Sequence, residues 1–346
     1  METKKIVEPI VWWHRAHKRE LPWRVDPSPY HTWLSEIMLQ QTRIEAVIPY
    51  YHRFLSELPT IEDLANADEE RLMKLWEGLG YYSRVRNLKK AAQKVMEEYG
   101  GNLPVTAKEL RSLPGIGDYT AGAIASMSFG QPEPAVDGNV LRVMTRITGD
   151  FGDITQTAVK KRITQLLQSI YPVGEDAGDF TEGLMELGET LCIPNGAPRC
   201  DGCPVAEFCV ARIENLTQQL PVKTEKKQRK IQQKTVFVLV CNGKIALQKR
   251  PEKGLLAGMW ELPNVDGCLP VEQWQGFVDG TCDTPVPLEP SVHIFTHVEW
   301  HMQGVYLPCE TCSDRFIWVS VQEILHEKAL PVAFRVYKDW ILKQFQ

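Results

Sequence analysis

"LPGIGDYTAGAI", residues 113–124, sets two glycines around an isoleucine and then turns apolar at helical spacing. Three readings of such a turn compete: a plain connector between helices, a cradle for nucleotide phosphate, and a grip on a DNA backbone. Glycine permits positive φ and close backbone approach, and successive N–H groups at a helix start attract anions. A dinucleotide fold needs a strand before the glycines and the spacing G-x-G-x-x-G. Here the preceding "TAKELRSLP" has a helical pattern, and the glycines fall at Gly115, Gly117 and Gly122, which is the wrong spacing. The Gly-Lys-Ser/Thr of a P-loop is also missing.

Helix, glycine turn, helix is the pattern of a helix-hairpin-helix, which holds a DNA phosphate on main-chain amides. A turn made for packing alone is the competing reading. The flanking sequence agrees with helices. Apolar residues recur at spacings of three and four in "TIEDLANADEERLMKLWEGLG" and "NLKKAAQKVMEEYGG", each ending in glycine. Ser28-Pro29 reads as an N-cap followed by proline at the first helical position. Residues 1–215 are therefore expected to form an all-α domain. A basic linker is expected over 216–234, where "PVKTEKKQRKIQQK" lacks a core face. Residues 235–346 read as an α+β domain: a hairpin at Asn242-Gly243, a strand in "FIWVS" and a last helix in "VAFRVYKDWILKQF".

Composition narrows the function classes. The chain has 346 residues, 43% hydrophobic and 24% charged, with a formal net charge of -5. It has no apolar run of membrane-spanning length and no signal-peptide core, which favours the cytoplasm, near the nucleoid in a bacterium. The acidic balance means that a nucleic-acid partner must meet a local basic surface.

Nine cysteines, an odd number without a secretory signal, argue against a disulfide framework. Four lie close together as Cys192-x7-Cys200-x2-Cys203-x5-Cys209, in a loop with three prolines. Four thiolates there can enclose a zinc ion or a 4Fe–4S cluster. A single close pair with wide flanking gaps suits the larger group.

Several polar residues stand out beside this loop. Glu36 in "WLSEIMLQQTR" has Trp33, Ile37 and Met38 around it; packed on that face it would be desolvated and raised in pKa, as a general acid requires. On the other face it would be an ordinary surface glutamate. Gln41 and Thr42 follow, polar groups suited to base edges. Asp137 in "PAVDGNVLRV" reads, taken alone, as a helix N-cap. "GLGYYSRVRNL", with Tyr82 and Arg84, suits a wedge entering a base stack.

In their order along the chain, "LPWR", "WLSEIMLQQT", "GLGYYSR", "LPGIGDYTAGAI", "VDGNV", the cysteine loop and "FTH" resemble the MutY-type adenine DNA glycosylases of the endonuclease III-like superfamily. The resemblance implies a helix-hairpin-helix glycosylase domain with a 4Fe–4S cluster on Cys192, Cys200, Cys203 and Cys209, followed by a Nudix-like domain. It also implies roles. Glu36 would protonate adenine and Asp137 would stabilise the sugar cation, with Asn139 and Glu182 supporting them. Trp23 and Arg24 would line the flipped base, and Gln41 and Tyr82 would fill the gap it leaves. Gly115 and Gly117 would hold phosphate through a monovalent cation, and Phe295, Thr296 and His297 would read 8-oxoguanine. The implied partner is duplex DNA carrying 8-oxoguanine:A or G:A, met by a monomer, with no membrane.

Lyase relatives carry a Schiff-base lysine at the position of Tyr119, so the tyrosine implies base removal without strand cleavage. Two other readings stand behind this one: a pyrimidine-lesion glycosylase/lyase, which Tyr119 disfavours, and a non-enzymatic Fe–S DNA-binding protein, which Glu36 with Asp137 disfavours. After Gly258 the glutamate-rich run of a working Nudix hydrolase is missing, so no pyrophosphohydrolase activity is expected. The first cysteine gap is one residue longer than the family's usual one. Cys309-x2-Cys312 has no place in the pattern and reads as an adventitious thiol pair.

Overall fold

The computed structural model describes residues 3–224, 228–278 and 281–345. The chain divides into two compact units, Met1–Asn66 with Arg86–Glu225 and Ala67–Val85 with Lys226–Gln346. The first is helical, with no strand among its described residues. Five of its helices build the site: α1 (Val7–His17), α2 (Pro29–Leu39), α3 (Asp118–Phe129), α4 (Gly138–Thr148) and α5 (Glu175–Thr190). Ser28 caps α2 by accepting from the His31 amide at 3.1 Å, with Pro29 at the first position. That start fixes the helix phase so that Trp33, Leu34, Ile37 and Met38 are buried together. Helix α5 packs on α1, α3 and α4, with Ile10, Val140, Met144, Phe180 and Leu184 in the shared core. Gly122 lets the chain cross α3, because a Cβ there would lie 2.2 Å from the Pro134 carbonyl oxygen.

The stretch expected to be a linker is not one uniform segment. Residues 216–224 lie on the first unit: Leu220 is buried, its carbonyl accepts from Arg146 Nε at 2.9 Å, and the Ile154 amide donates to Val222 O at 3.0 Å. Residues 225–227 lie outside the described residues. From Lys230 the chain is already strand, because its backbone pairs with a neighbour from Lys230↔Val298 onward. A polar composition hid this strand, whose first residues gain pairing rather than apolar burial.

The second unit holds a mixed seven-stranded sheet: β1 (Lys230–Cys241), β2 (Lys244–Lys249), β3 (Trp260–Glu261), β4 (Asn264–Asp266), β5 (Val286–Ile294), β6 (Val298–Cys309) and β7 (Ile317–Val319). The order β3-β2-β1-β6-β5 puts β1 parallel to β6 at the centre, while β4 pairs with β1 and β7 with β2. From Lys234 onward strand β1 is buried on both faces. Val236, Val238 and Val240 pack with helix α6 (Arg335–Phe345), and Phe237, Leu239 and Cys241 pack on the other side. Asn242 and Gly243 form the expected hairpin turn, with φ of 51° and 71°.

The run expected to be helical over 60–80 breaks at Asp68, which accepts from the Glu70 and Arg71 amides and starts a new helix, Glu69–Leu75, in the second unit. Glu77 ties this segment to the C-terminal end by accepting from Lys338 Nζ at 2.7 Å and the Leu330 amide at 2.9 Å.

Candidate functional site

A cleft of about 560 Å³ opens in the helical unit, lined by Trp23, Arg24, Glu36, Gln41, Thr42, Tyr119, Asp137, Asn139 and Glu182 among others. Its size is that of a small-molecule site. Residues as far apart in sequence as Trp23 and Glu182 thus meet in one cleft.

Glu36 projects from α2 and is only 6% exposed. Burial raises its carboxyl to about 7, with Glu182 and Asp137 adding to the rise and the Tyr119 hydroxyl and Arg24 opposing it. Its Oε2 is buried without a hydrogen-bond partner, so the cleft holds a carboxyl that is half protonated near neutral pH. That is the condition a general acid needs.

Asp137 is the N-cap of α4, accepting from the Val140 amide at 2.7 Å, and it also lines the cleft. The cap and the functional reading are therefore the same residue. Burial pushes its carboxyl up, while the Val140 and Asn139 amides and Arg142 pull it back. Tyr119, on the first turn of α3, is pushed far up by burial and by the Glu36 and Asp137 carboxylates, so it stays a neutral phenol. Asn139 accepts from Arg142 Nη2 at 2.8 Å. Gly188 of α5 makes room for it, since a Cβ there would lie 2.6 Å from Asn139 Cβ.

One wall is an ion network that the sequence did not reveal. Arg24 donates to Glu182 at 2.8 Å and to Glu186 at 3.2 Å. Arg19 bridges Glu186 and Glu189. His14, fully buried on α1, places Nδ1 2.9 Å from Asp179 and Nε2 3.3 Å from Glu182. Burial pushes the Glu182 carboxyl up, but His14 and Arg24 more than reverse this and hold it below its ordinary value. Asp179 and Glu182 share a face of α5 at i and i+3, which was the available signal. Nothing in the sequence placed His14 between them.

The opening turn has two different glycines. Gly115 has φ +79°, and a Cβ on it would lie 2.7 Å from Asn87 Cβ. Gly117 is the N-cap of α3 with φ -92°, and a Cβ there would meet nothing within 4 Å. Packing explains the first. For the second, packing within the fold gives no reason to exclude a side chain.

Cys192, Cys200, Cys203 and Cys209 all line one cavity with Arg146 and Arg212. None of the four is joined in a disulfide. The longer first gap is taken up by a turn in which the Arg199 amide returns to Leu191 O at 2.9 Å, so Cys200 still faces the others. Among the described residues no three ligating groups surround one single-ion position. Four soft donors lining one cavity, with the Arg146 and Arg212 guanidinium groups beside them, suit an iron–sulfur group. Arg142 connects this loop to the cleft: it donates to the Cys192 carbonyl at 2.8 Å, the Gly188 carbonyl at 2.7 Å and Asn139.

In the second unit, Phe295, Thr296 and His297 form the turn between β5 and β6, closed by the Phe295 amide donating to Val298 O at 2.8 Å. Phe295 packs edge-on against Trp300, while Thr296 and His297 are exposed. The Tyr81 and Thr296 hydroxyls lie 3.0 Å apart.

Two expectations for this unit are corrected. Tyr82 is buried, with only 4% exposure, and its hydroxyl accepts from the Gly78 amide at 3.4 Å; Tyr81, 44% exposed at φ 49°, is the ring available to a base stack. Arg84 is buried and donates to the Leu79 and Gly80 carbonyls at 3.1 and 3.2 Å, so it shapes the loop instead of reaching outward. The dipeptide Tyr-Tyr could not show which ring turns inward.

Residues 34–169 match the HhH-GPD superfamily of base excision DNA repair proteins, and residues 235–339 match the NUDIX domain. The human adenine DNA glycosylase is 34% identical, over 95% of this chain and 73% of that protein. The adenine DNA glycosylase of Buchnera aphidicola (subsp. Acyrthosiphon pisum) is 30% identical over 94% of both. Among solved structures, a thermostable thymine-DNA glycosylase aligns with a TM-score of 0.54 and 28% identity, covering 61% of this chain and 97% of that one. A non-covalent endonuclease III–DNA complex aligns at 0.52 and 24%, covering 62% and 99%, and shares the fold. Likeness along nearly the whole chain agrees with the buried acid in a helical cleft: the chain belongs to the adenine DNA glycosylases of the HhH-GPD base-excision repair superfamily.

Proposed function

We propose that the enzyme removes adenine opposite 8-oxoguanine or guanine from duplex DNA, and that it does so without cutting the strand. The observation that carries this reading is the buried, near-neutral Glu36 facing a cleft shared with Asp137 and Tyr119. A stacked base hides its glycosidic bond, so the adenine is flipped into the cleft against Trp23 and Arg24. Protonated Glu36 donates to adenine N7. The C1′–N9 bond then breaks with its electron pair leaving on adenine, and Asp137 stabilises the sugar cation. Water adds at C1′ and leaves an abasic site. Asn139 and Glu182 hold the polar surroundings.

Strand cleavage by a lyase needs an amine nucleophile. Tyr119 is a neutral phenol, and among the described residues lining the cleft there is no lysine.

Cys192, Cys200, Cys203 and Cys209 would hold a 4Fe–4S cluster, which when bound rigidifies the loop and is capable of one-electron exchange. Gly115 and Gly117 grip phosphate, with a monovalent cation at the turn. Gln41 and, in place of Tyr82, Tyr81 fill the gap in the duplex. The turn Phe295–His297 reads 8-oxoguanine, its Thr296 hydroxyl supplying the polar contact. The enzyme acts as a monomer on nucleoid or nuclear DNA.

The test compares wild type with Glu36→Gln on 8-oxoguanine:A duplexes. The variant is expected to lose excision while binding the mispair normally, and wild type is expected to give no borohydride-trapped complex. A variant that no longer binds the mispair makes Glu36 structural. Efficient trapping makes the enzyme a lyase.

A further inference from the structure

Base excision leaves the five cysteines of the second unit without a role, and the sheet gathers four of them at one end. Cys241 ends β1 and stands in register beside Cys309, the last residue of β6. Cys282 faces Cys309 across an isolated antiparallel bridge. The Asp283 amide donates to Pro308 O at 2.9 Å and the Glu310 amide to Thr281 O at 3.0 Å. These flanking bonds make 282 and 309 a non-hydrogen-bonded pair, the closer of the two antiparallel pairings, with Cα atoms about 4.5 Å apart. A disulfide spans that separation. The two sulfurs are already in contact at 3.4 Å. Cys312 packs against the same apolar cluster, its sulfur 3.9 Å from Asn242 Nδ2. Cys309 therefore meets the distant Cys282, not the Cys312 that spacing suggested. Among the described residues no three ligating groups surround one ion position, and the cluster's closest feature is a sulfur–sulfur contact.

We propose that Cys282 and Cys309 are a thiol–disulfide modification site, closed by a hydroperoxide and reopened by a dithiol reductant. Cys282 is half-buried and meets the oxidant; Cys309 is buried. The Cys282 thiolate attacks one peroxide oxygen, the O–O bond breaks, and Cys282 sulfenic acid and hydroxide result. The Cys309 sulfur then attacks the Cys282 sulfur. The S–S bond forms, the S–O bond breaks, and hydroxide leaves as water with the Cys309 proton. The two thiols have supplied the two electrons that reduce one peroxide. Burial and the adjoining Cys282 push the Cys309 thiol up to about 12, which keeps it protonated until this second step. A dithiol restores both thiols by two exchange reactions. Closure ties residues 281–283 covalently to the end of β6.

Peptide mapping of the full-length enzyme tests this. Protein treated with hydrogen peroxide is alkylated and digested without reductant. A Cys282–Cys309 peptide pair is expected, lighter by the two thiol hydrogens and separated by dithiothreitol. Cys312→Ser keeps it, and Cys282→Ser loses it while retaining excision. A Cys309–Cys312 bond, or accumulation of Cys282 sulfinic acid with Cys309 still a free thiol, overturns the proposal. The wild-type map alone decides, whether or not a Cys309 variant folds.

Discussion

The cleft of the helical unit and the β5–β6 turn of the second unit carry their polar groups in opposite ways. Glu36 is buried and lacks a partner at Oε2, and Asp137 and Glu182 are held by amides, arginine and histidine. Thr296 and His297 are exposed, and the nearest fixed partner of Thr296 is one tyrosine hydroxyl. Chemistry on a base needs groups whose ionisation is tuned, and only desolvation tunes it far. Recognition of a base needs groups that exchange water for ligand at small cost. The cleft should therefore respond to substitution in rate and in pH dependence, and the turn in preference alone.

The largest effect is expected at Glu36. Glu36→Gln should slow single-turnover excision roughly 10²–10⁴-fold. In wild type the acid form is the active one. Its carboxyl is raised to about 7, so the rate should fall as pH rises through about 7, and the variant's residual rate should lack that step. The same shift makes a stability claim of known sign. Between the ordinary value of 4.5 and about 7 the folded chain holds a proton that the unfolded chain has lost, so stability falls as pH rises across this window. Above pH 7, Glu36→Gln should be more stable than wild type, by up to roughly 3 kcal/mol. Denaturant unfolding of the helical unit at pH 8 measures this. Equal stability would mean that the carboxylate is solvated after all.

These contrasts mark what the sequence made legible. Caps and turns are local, so Ser28-Pro29, Asn242-Gly243 and the glycine turn could be read directly. Glu36 was legible because its apolar neighbours stand on its own helix. His14 was not, because its partners Asp179 and Glu182 come from a helix more than 150 positions later. Arg142 is a single charge in an apolar run, and its bonds to the Cys192 and Gly188 carbonyls exist only once distant segments meet. Tyr81 and Tyr82 differ in exposure, and Tyr81 takes a positive φ that only the folded loop imposes. Strand β1 was read short at its start, since Lys230 to Lys234 gain backbone pairing without an apolar pattern.

Effects of intermediate size separate positioning from chemistry. His14→Phe removes a shared partner from two carboxylates and should cost about 2 kcal/mol in stability. Excision should fall about tenfold as Glu182 and Arg24 shift, with the pH step near 7 retained because Glu36 remains. Loss of that step would place His14 in the proton transfer itself. In the glycine turn, Gly115→Ala should destabilise by about 1 kcal/mol or more, through positive φ and the Asn87 contact. Gly117→Ala should fold normally and weaken duplex binding about tenfold for every base pair alike, since backbone contacts position but do not specify. Selective loss of one mispair would contradict a phosphate grip.

The smallest effect belongs to the turn. Thr296→Val keeps the shape and removes the hydroxyl that lies 3.0 Å from Tyr81. One hydrogen bond of about 1 kcal/mol corresponds to roughly a fivefold change in affinity. Preference for adenine opposite 8-oxoguanine over guanine should fall by that factor, with kcat on either mispair unchanged. Thr296→Ser should restore it. Tyr81→Phe separates the two roles of the hydroxyl pair. If Tyr81 only orients Thr296, its loss repeats part of the Thr296→Val effect. If Thr296 only anchors the Tyr81 ring, both variants instead weaken binding to every mispair equally, and the turn would support the wedge and not read the lesion.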